Sequence, residues 1–142
     1  GPFQCVDLGN DPRLQNIFFY GIHLVEMMQE VFGSGIQSIK TQRSEKHGDS
    51  SIITYQSELQ VSLHLLKPMV DYYHVTAYTE SGPLSYKLDL EGNYYEQTLS
   101  RFFQFVDGSE DGVPLGETLE ALELLFASES SVHQGIEVTL NA

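Results

Sequence analysis

The sequence is poor in cysteine and in basic residues, and it has no long apolar run. Its 142 residues include one cysteine, Cys5, so no disulfide can form within the chain, which fits a reducing cytoplasm. Seven Lys and Arg stand against 20 Asp and Glu, a formal net charge of −13. Such a surface repels phosphate backbones and anionic lipids, which argues against nucleic acid and membrane as partners. The apolar runs are only a few residues long, too short for a transmembrane helix.

The sequence does have enough apolar residues to build a core. Hydrophobic residues make up 41% of the chain and aromatic residues 11%, which excludes disorder as its main state. The length corresponds to a single domain covering residues 1–142. The chain begins with Gly-Pro rather than Met and has no basic, hydrophobic leader, so we expect it to be a segment of a longer protein.

Hydrophobic periodicity and turn residues predict an α+β fold. Helices are expected at residues 14–32, 93–107 and 116–133, and strands at 2–8, 36–45, 51–56, 58–66, 70–80, 83–90 and 136–140. The strands are clustered and mostly joined by short loops, which favours an antiparallel sheet. We therefore predict an open, mostly antiparallel sheet of about six strands with helices packed on one face.

Two short loops fix the predicted register of the central strands. Residues 67–69 are expected to form a three-residue loop, and Ser81–Gly82 a two-residue hairpin. This register pairs the strand 70–80 with both of its sequence neighbours and places Glu80 opposite Pro83. Apolar residues of three strands then share one face, which a one-residue slip would scatter.

The opposite face of that predicted sheet is polar but rich in tyrosine and histidine, including His64, Tyr72, His74 and Tyr78. These side chains combine apolar area with a polar tip, a composition typical of surfaces covered by another subunit. We therefore expect a homo-oligomer, a homodimer for instance, that forms through this face. The alternative is a metal-binding or pH-sensitive cluster, because His64 and His74 fall on adjacent strands in this register.

Each of the last two helices carries an apolar stripe at helical spacing. The stripes are Tyr95, Leu99, Phe102 and Val106 on the first helix, and Leu119, Leu122 and Phe126 on the second. We expect the helices to cover the apolar face of the sheet.

The first helix carries the arrangement that suggests catalysis. His23, Glu26 and Glu30 fall on neighbouring helical turns, where they could bind a metal, form a structural cluster or act in acid/base chemistry. We predict no metal site, because a metal would require more convergent ligands. Cys5 has no neighbouring base to activate it as a nucleophile.

Gly33-Ser34-Gly35 is similar to the start of a dinucleotide-binding fingerprint. That fingerprint must follow a strand and begin a helix, because the helix N-terminus holds the pyrophosphate. Here the glycines follow a predicted helix and precede a predicted strand. We therefore interpret them as a helix end and a turn, and predict no cofactor-binding residues in this chain.

Several short motifs occur in a characteristic order along the chain. They are Tyr20-Gly21-Ile22-His23-Leu24-Val25-Glu26, Phe32-Gly33, Tyr94-Tyr95 with Phe102 and Phe105, Val113-Pro114, Glu117 to Leu122, and finally Ala127, Ser131, Gly135 and Val138. Together they resemble the C-terminal domain of the Gfo/Idh/MocA family, the glucose-fructose oxidoreductase and inositol dehydrogenase group. The resemblance extends from about Val6 to Leu140.

Members of that family are two-domain NAD(P)-dependent oxidoreductases that act mostly on sugars, cyclitols and related compounds. The resemblance implies that this chain is the second domain, which shapes the substrate pocket and often forms the oligomer interface. Its partner would be an N-terminal Rossmann domain, absent from this chain, which holds NAD or NADP. The chain alone would bind no cofactor and would be inactive.

The resemblance also assigns site residues. His23 matches the family's catalytic histidine, and Tyr20 and Glu26 lie where they would contact the substrate together with His23. The family usually has an aspartate four residues before that histidine, where this chain has Phe19. A phenyl ring can neither relay a proton nor hold an imidazole tautomer, so the parent protein uses a different relay or has lost the reaction.

Two hypotheses of different class follow. In the first, the chain is the substrate-binding and oligomerising domain of a cytoplasmic NAD(P)-dependent oxidoreductase. In the second, it is a non-catalytic homo-oligomeric binding or assembly module that keeps the scaffold without the chemistry. A stand-alone binder of small ligands, related only in fold, is a third possibility.

Overall fold

The computed structural model describes residues 3–4, 21–66, 74–87 and 92–140. The element order agrees with the one that the sequence predicts. The elements are β1 (Phe3–Gln4), α1 (Ile22–Phe32), β2 (Ile36–Ser44), β3 (Gly48–Tyr55), β4 (Gln60–Leu66), β5 (His74–Thr79), β6 (Gly82–Lys87), α2 (Tyr94–Val106), α3 (Leu115–Gln134) and β7 (Val138–Thr139).

The strands form two sheets among the described residues. A five-stranded sheet has the order β1-β4-β3-β2-β7, and β5 pairs with β6 in a two-stranded sheet. All pairings are antiparallel except that of β1 with β4. The predicted open α+β fold is confirmed, but the predicted pairing of β4 with β5 is wrong, because β1 lies against the edge of β4 that β5 would have needed.

The β5–β6 hairpin differs from its predicted register by two residues. Tyr78 lies opposite Pro83 and Thr79 opposite Gly82, so Glu80 and Ser81 form the turn. The positive φ of +117° that closes this turn falls on Gly82, a conformation that glycine adopts without strain. Since a shift of two residues preserves the alternation, each side chain keeps its predicted face.

The core lies between one face of the five-stranded sheet and helices α1 and α3. Val61, Leu63 and Leu65 of β4 point into it, as the alternation predicts. Their buried apolar partners are Leu24, Val25, Met28, Ile36, Ile39, Ile53, Tyr55, Ala121, Leu124, Leu125, Ala127 and Leu140. None of the helices in the described ranges is both long and apolar enough to cross a bilayer.

The apolar stripes of the last two helices do not cover the sheet. On α3 the buried residues include Ala121, Leu124 and Ser128, whereas Leu119 and Leu122 of the predicted stripe lie on the opposite, exposed side. The whole apolar stripe of α2 is exposed as well. The expectation that these stripes pack on the sheet is wrong, because α3 packs through its opposite side, which carries Leu124 and Leu125 together with small residues.

A cluster of buried hydroxyl groups joins α3 to the sheet. Thr41 Oγ1 on β2 lies 2.8 Å from Ser51 Oγ on β3 and 2.9 Å from Ser128 Oγ on α3. Ser131 Oγ accepts a hydrogen bond from the Thr41 backbone N–H at 2.9 Å and donates one to the carbonyl oxygen of Ile136. All four hydroxyl-bearing residues are buried, so their hydroxyl groups depend on partners within the protein for hydrogen bonding.

Replacing Thr41 by valine should destabilise the protein by about 1–3 kcal/mol, because the buried hydroxyls of Ser51 and Ser128 each lose a partner. Urea denaturation gives the free energy of unfolding. Thr76→Val is the matched control: Thr76 also pairs with a serine hydroxyl, that of Ser85, but at an exposed position. Equal losses in the two variants would contradict the prediction.

Candidate functional site

Helix α1 presents His23 and Glu26 on its exposed side. The two residues are three positions apart, which places their side chains on adjacent turns. His23 Nδ1 lies 3.5 Å from Glu26 Oε2, and each side chain is 60% exposed. A carboxylate at this position can orient the imidazole and leave its Nε2 atom free to exchange a proton with a ligand. The structure therefore brings together two of the three residues predicted to meet the substrate, whereas Tyr20 lies outside the described residues.

The opposite side of α1 is firmly held. Leu24, Val25 and Met28 are buried in the core. Gln29 Nε2 donates to the backbone oxygen of Glu117 and to Glu120 Oε1, both at 3.1 Å. The core contacts and this bridge to α3 fix the helix, so the position of the His23–Glu26 pair is fixed relative to α3.

Glu120 also binds the loop that follows α1. Its Oε2 atom accepts hydrogen bonds from the backbone N–H of Gly35 at 2.8 Å and of Ile36 at 3.2 Å. The Gly33 N–H donates to the Gln29 carbonyl oxygen and ends the helix, which confirms the predicted helix end and turn. Because a carboxylate already occupies these amides and a strand follows, the loop does not fit the pyrophosphate of a dinucleotide.

Tyr55 of β3 forms a further hydrogen bond to the loop that follows α1. Its hydroxyl donates to the Gly33 carbonyl oxygen at 3.1 Å. Burial, together with the nearby charge of Glu120, raises the pKa of Tyr55 to about 12. The phenol therefore stays protonated, as its hydrogen bond to Gly33 requires.

Tyr55 should contribute a specific pH dependence to stability. An unfolded tyrosine has a pKa of about 10, so the stability due to this group is present below pH 10 and is lost as the pH rises to about 12. We expect the free energy of unfolding of the wild type to fall more steeply over this range than that of Tyr55→Phe. Urea denaturation across the range tests this. Tyr78→Phe, at an 85% exposed position, should follow the wild type; parallel curves for the wild type and Tyr55→Phe would contradict the prediction.

The residues predicted for the oligomer face do not share one sheet. His64 lies on β4, opposite Ser50 of β3, and its Nδ1 is 3.1 Å from Ser50 Oγ. His74 and Tyr78 lie on β5 of the two-stranded sheet. Tyr72 lies outside the described residues. The predicted register, which brought His64 and His74 onto adjacent strands, is therefore wrong.

The outer face of the five-stranded sheet is nevertheless mixed in character. His64 is partly buried there, and burial lowers its pKa, so the imidazole is neutral at pH 7. Ile52 lies on the same face and is more than half exposed. Throughout the part of the chain that the structure describes, no group of three or more His, Cys, Asp or Glu side chains is arranged to hold a metal ion.

A shallow depression lies along β2 beside the end of α3, and its cationic groups are already engaged. Arg43 forms ion pairs with Asp49 and Glu129, which raise its pKa. Lys40 Nζ donates to the Gly135 carbonyl oxygen at 3.0 Å. This depression therefore offers no uncommitted positive charge to an anionic ligand.

Arg101 on helix α2 is held by an acidic residue of the segment that follows the helix. Arg101 forms two hydrogen bonds to Glu110 Oε1, at 2.8 Å from Nη2 and 3.1 Å from Nε. These bonds, and to a smaller extent the charge of Glu30 on α1, raise the pKa of Arg101.

Sequence reasoning found His23 and Glu26 but missed Gln29 and Glu120. The first two follow from helical spacing alone. The other two meet across 91 positions of sequence, and nothing in the local pattern of either helix predicts that contact.

Solved structures provide the comparison with known proteins. The chain is similar to a myo-inositol dehydrogenase from Corynebacterium glutamicum, with a TM-score of 0.75 and 15% identity over 99% of this chain and 54% of that one. It is similar to GenD2 from gentamicin A biosynthesis, solved with NAD, with a TM-score of 0.68 and 14% identity over 99% and 54% of the two chains. For the WlbA dehydrogenase from Bordetella pertussis, solved with NADH and UDP-GlcNAcA, the TM-score is 0.63 and the identity 17%, over 89% and 46%.

The protein thus has the fold of the C-terminal domain of Gfo/Idh/MocA-type dehydrogenases, which confirms the resemblance at the level of fold. The chain spans about half the length of the solved structures that it matches. No family model and no curated protein sequence matches it.

Proposed function

We propose that this chain is the substrate-binding and oligomerising domain of an NAD(P)-dependent oxidoreductase acting on a sugar, a cyclitol or a related compound in the cytoplasm. The observation that carries the proposal is the exposed His23–Glu26 pair on α1. The opposite side of α1 is held by the core and by the bond from Gln29 to Glu120, and the fold is one that dehydrogenases share. The solved neighbours named above include an inositol dehydrogenase and proteins crystallised with NAD or NADH, which supports the substrate class and the cofactor.

In this proposal the chain supplies proton transfer and substrate contacts. The Nε2 atom of His23 accepts the proton of the substrate hydroxyl that is oxidised, and Glu26 orients the ring through Nδ1. Tyr20, three residues before His23 in the sequence, contacts the substrate as well. NAD or NADP is held by an N-terminal nucleotide-binding domain that is not part of this chain, since the Gly33–Ile36 loop does not fit it.

The oligomer in this proposal forms through sheet surfaces. The outer face of the five-stranded sheet contributes His64 and the exposed Ile52. The β5–β6 hairpin contributes His74 and Tyr78, and Tyr72 precedes this hairpin in the sequence. Light scattering of the chain should show an oligomer that His74→Glu or Tyr72→Glu weakens. A monomer at high concentration, unchanged by either substitution, would contradict this part of the proposal.

A second candidate function rests on Phe19. The family's aspartate is missing at this position, and a phenyl ring cannot take its place in proton relay. The alternative is therefore a non-catalytic binding or assembly module with the same fold.

Turnover of the product of the complete open reading frame separates the two functions. It is incubated with NAD or NADP and a panel of cyclitols, sugars and amino sugars, and the absorbance of the reduced nicotinamide is followed. We expect turnover by the longer protein, and neither turnover nor cofactor binding by the 142-residue chain in titration calorimetry. A longer protein that neither binds cofactor nor turns over would favour the module, and tight cofactor binding by the chain alone would contradict the proposed division of roles.

A further inference from the structure

The segment between α2 and α3 contains two Asp-Gly sequences. Asp107-Gly108 and Asp111-Gly112 are the two places in the chain where glycine directly follows aspartate. Glycine has no Cβ to hinder the approach of its own backbone nitrogen to the preceding side chain. This nitrogen can attack the carboxyl carbon of the aspartate, so each of these sequences is open to rearrangement into isoaspartate.

The rearrangement has two steps and requires no reagent other than water. In the first step, the glycine nitrogen forms a bond to the aspartate Cγ, and the bond from Cγ to one carboxyl oxygen breaks. That oxygen leaves as water with the carboxyl proton and the amide proton, and a succinimide ring remains. In the second step, water opens the ring, and opening at the former α-carbonyl gives isoaspartate. The reaction therefore needs a protonated carboxyl group and an amide nitrogen that is free to attack it.

Hydrogen bonds hold both reacting groups of Asp107-Gly108. The Asp107 carboxylate accepts hydrogen bonds from the Ser109 backbone N–H, at 2.9 Å, and from the Ser109 hydroxyl. The Gly108 N–H donates to the Phe105 carbonyl oxygen at 3.2 Å. The bonds from Ser109 also lower the pKa of Asp107, which reduces the protonated fraction that can lose water.

Asp111-Gly112 lacks these restraints. The backbone hydrogen bonds to the end of α2 stop at Glu110, whose N–H donates to the Gln104 carbonyl oxygen at 3.1 Å. Among the residues that the structure describes, no group forms a hydrogen bond with the Asp111 carboxylate or with the Gly112 N–H. Both residues are exposed and lie outside the helices, so water reaches the carboxyl group and the ring that it would form.

We infer that Asp111-Gly112 forms isoaspartate in the folded protein and that Asp107-Gly108 is protected from the same reaction. The reacting residues of the two sequences are identical, so the difference between them comes from the hydrogen bonds at Asp107 and Gly108. The modified residue carries a free α-carboxylate, the group that isoaspartyl carboxyl methyltransferases methylate. The chain would thereby become a substrate of that class of enzyme.

The modification would lengthen the connection between two anchored positions. Glu110 binds Arg101 at 2.8 Å, and a Cβ added at Gly112 would lie 3.0 Å from the Phe105 ring. Isoaspartate at position 111 adds one carbon atom to the backbone between Glu110 and Gly112. The fixed connection between α2 and α3 would therefore have to change its path.

Isoaspartate is measured in the 142-residue chain after long incubation at physiological temperature and mildly acidic pH, and in a parallel sample unfolded in guanidinium chloride. A purified isoaspartyl carboxyl methyltransferase with radiolabelled S-adenosylmethionine gives the total amount, and electron-transfer fragmentation of peptides assigns it to a position. In the folded protein we expect accumulation at Asp111 to be at least about fivefold faster than at Asp107, whose hydrogen bonds must break first. In the unfolded sample the two rates should agree within about threefold, because local sequence alone then sets them.

Three variants test the structural reason for the difference. Asp111→Glu should remove most of the isoaspartate, because a glutarimide ring forms far more slowly than a succinimide. Asp107→Glu is the matched control and should leave the total amount nearly unchanged. Ser109→Ala removes the hydroxyl bond to Asp107 and should raise the rate at Asp107 at least about twofold without changing the rate at Asp111.

Equal rates at positions 107 and 111 in the folded protein would overturn the inference, and so would a faster reaction at position 107. Isoaspartate at neither position in the folded protein, with both present in the unfolded sample, would show that the fold protects both sequences, and it would overturn the inference as well. None of these measurements depends on catalytic activity, so their outcome is independent of the proposed function.

Discussion

Replacing His23 by glutamine should lower kcat/KM of the longer protein by about 10²–10⁴-fold, the usual contribution of a positioned acid/base group. Glutamine keeps a polar side chain of similar reach but cannot accept and release a proton near neutral pH. Because the His23 side chain is 60% exposed and pairs with the equally exposed Glu26, the free energy of unfolding should change by less than about 0.5 kcal/mol.

His47→Gln is the matched control for this substitution. His47 is an exposed histidine in the turn between β2 and β3, so its replacement should leave both kcat/KM and stability unchanged. Glu26→Gln should produce a smaller loss than His23→Gln, because it removes only the group that orients the ring. If kcat/KM is unchanged in His23→Gln, His23 takes no part in the reaction, and the non-catalytic module is favoured.

Gly48→Ala should destabilise the protein by at least about 3 kcal/mol, a large part of the 5–15 kcal/mol that holds a typical domain together. A Cβ at position 48 would lie 2.0 Å from the carbonyl oxygen of Leu65 and 3.1 Å from Leu66 Cα. Both are backbone atoms of β4, so the start of β3 would have to separate from its partner strand. The φ of +93° adds strain for any residue with a side chain.

Gly82→Ala provides the control that separates strain from collision. Gly82 also has a positive φ, +117°, but no atom lies within 4 Å of its added Cβ. This variant should lose only about 1–2 kcal/mol. Urea denaturation gives the free energy of unfolding of both variants. If Gly48→Ala is as stable as Gly82→Ala, β4 moves away from the added Cβ without loss of stability, and the prediction is wrong.

Much of the fold is readable from local pattern. Alternation places Val61, Leu63 and Leu65 in the core, and helical spacing places His23 next to Glu26. The neighbour of β4 is not readable in this way. A three-residue loop after β4 favours a hairpin with the next strand, but the parallel pairing of Phe3 with Leu65 joins residues 62 positions apart, and no local signal marks it.

The buried side of α3 was misjudged for a related reason. Periodicity identifies an apolar stripe, but it does not say which surface the stripe will meet. In α3 the leucines at 119 and 122 face outward, while Ala121 and Ser128 face the sheet. Leucines lie on both sides of this helix, since Leu124 and Leu125 are buried, so hydrophobicity alone does not identify the side that packs.

The hydroxyl cluster between α3 and the sheet has a consequence for alternative packings of the helix. Apolar contacts tolerate sliding, since one methyl group replaces another at little cost. The hydrogen bonds among Thr41, Ser51 and Ser128 do not tolerate sliding, because a shift of α3 by one turn would leave several buried hydroxyls without partners. The cluster therefore sets the axial position of α3 along β2, and through Glu120 and Gln29 it also sets the height at which α1 holds His23.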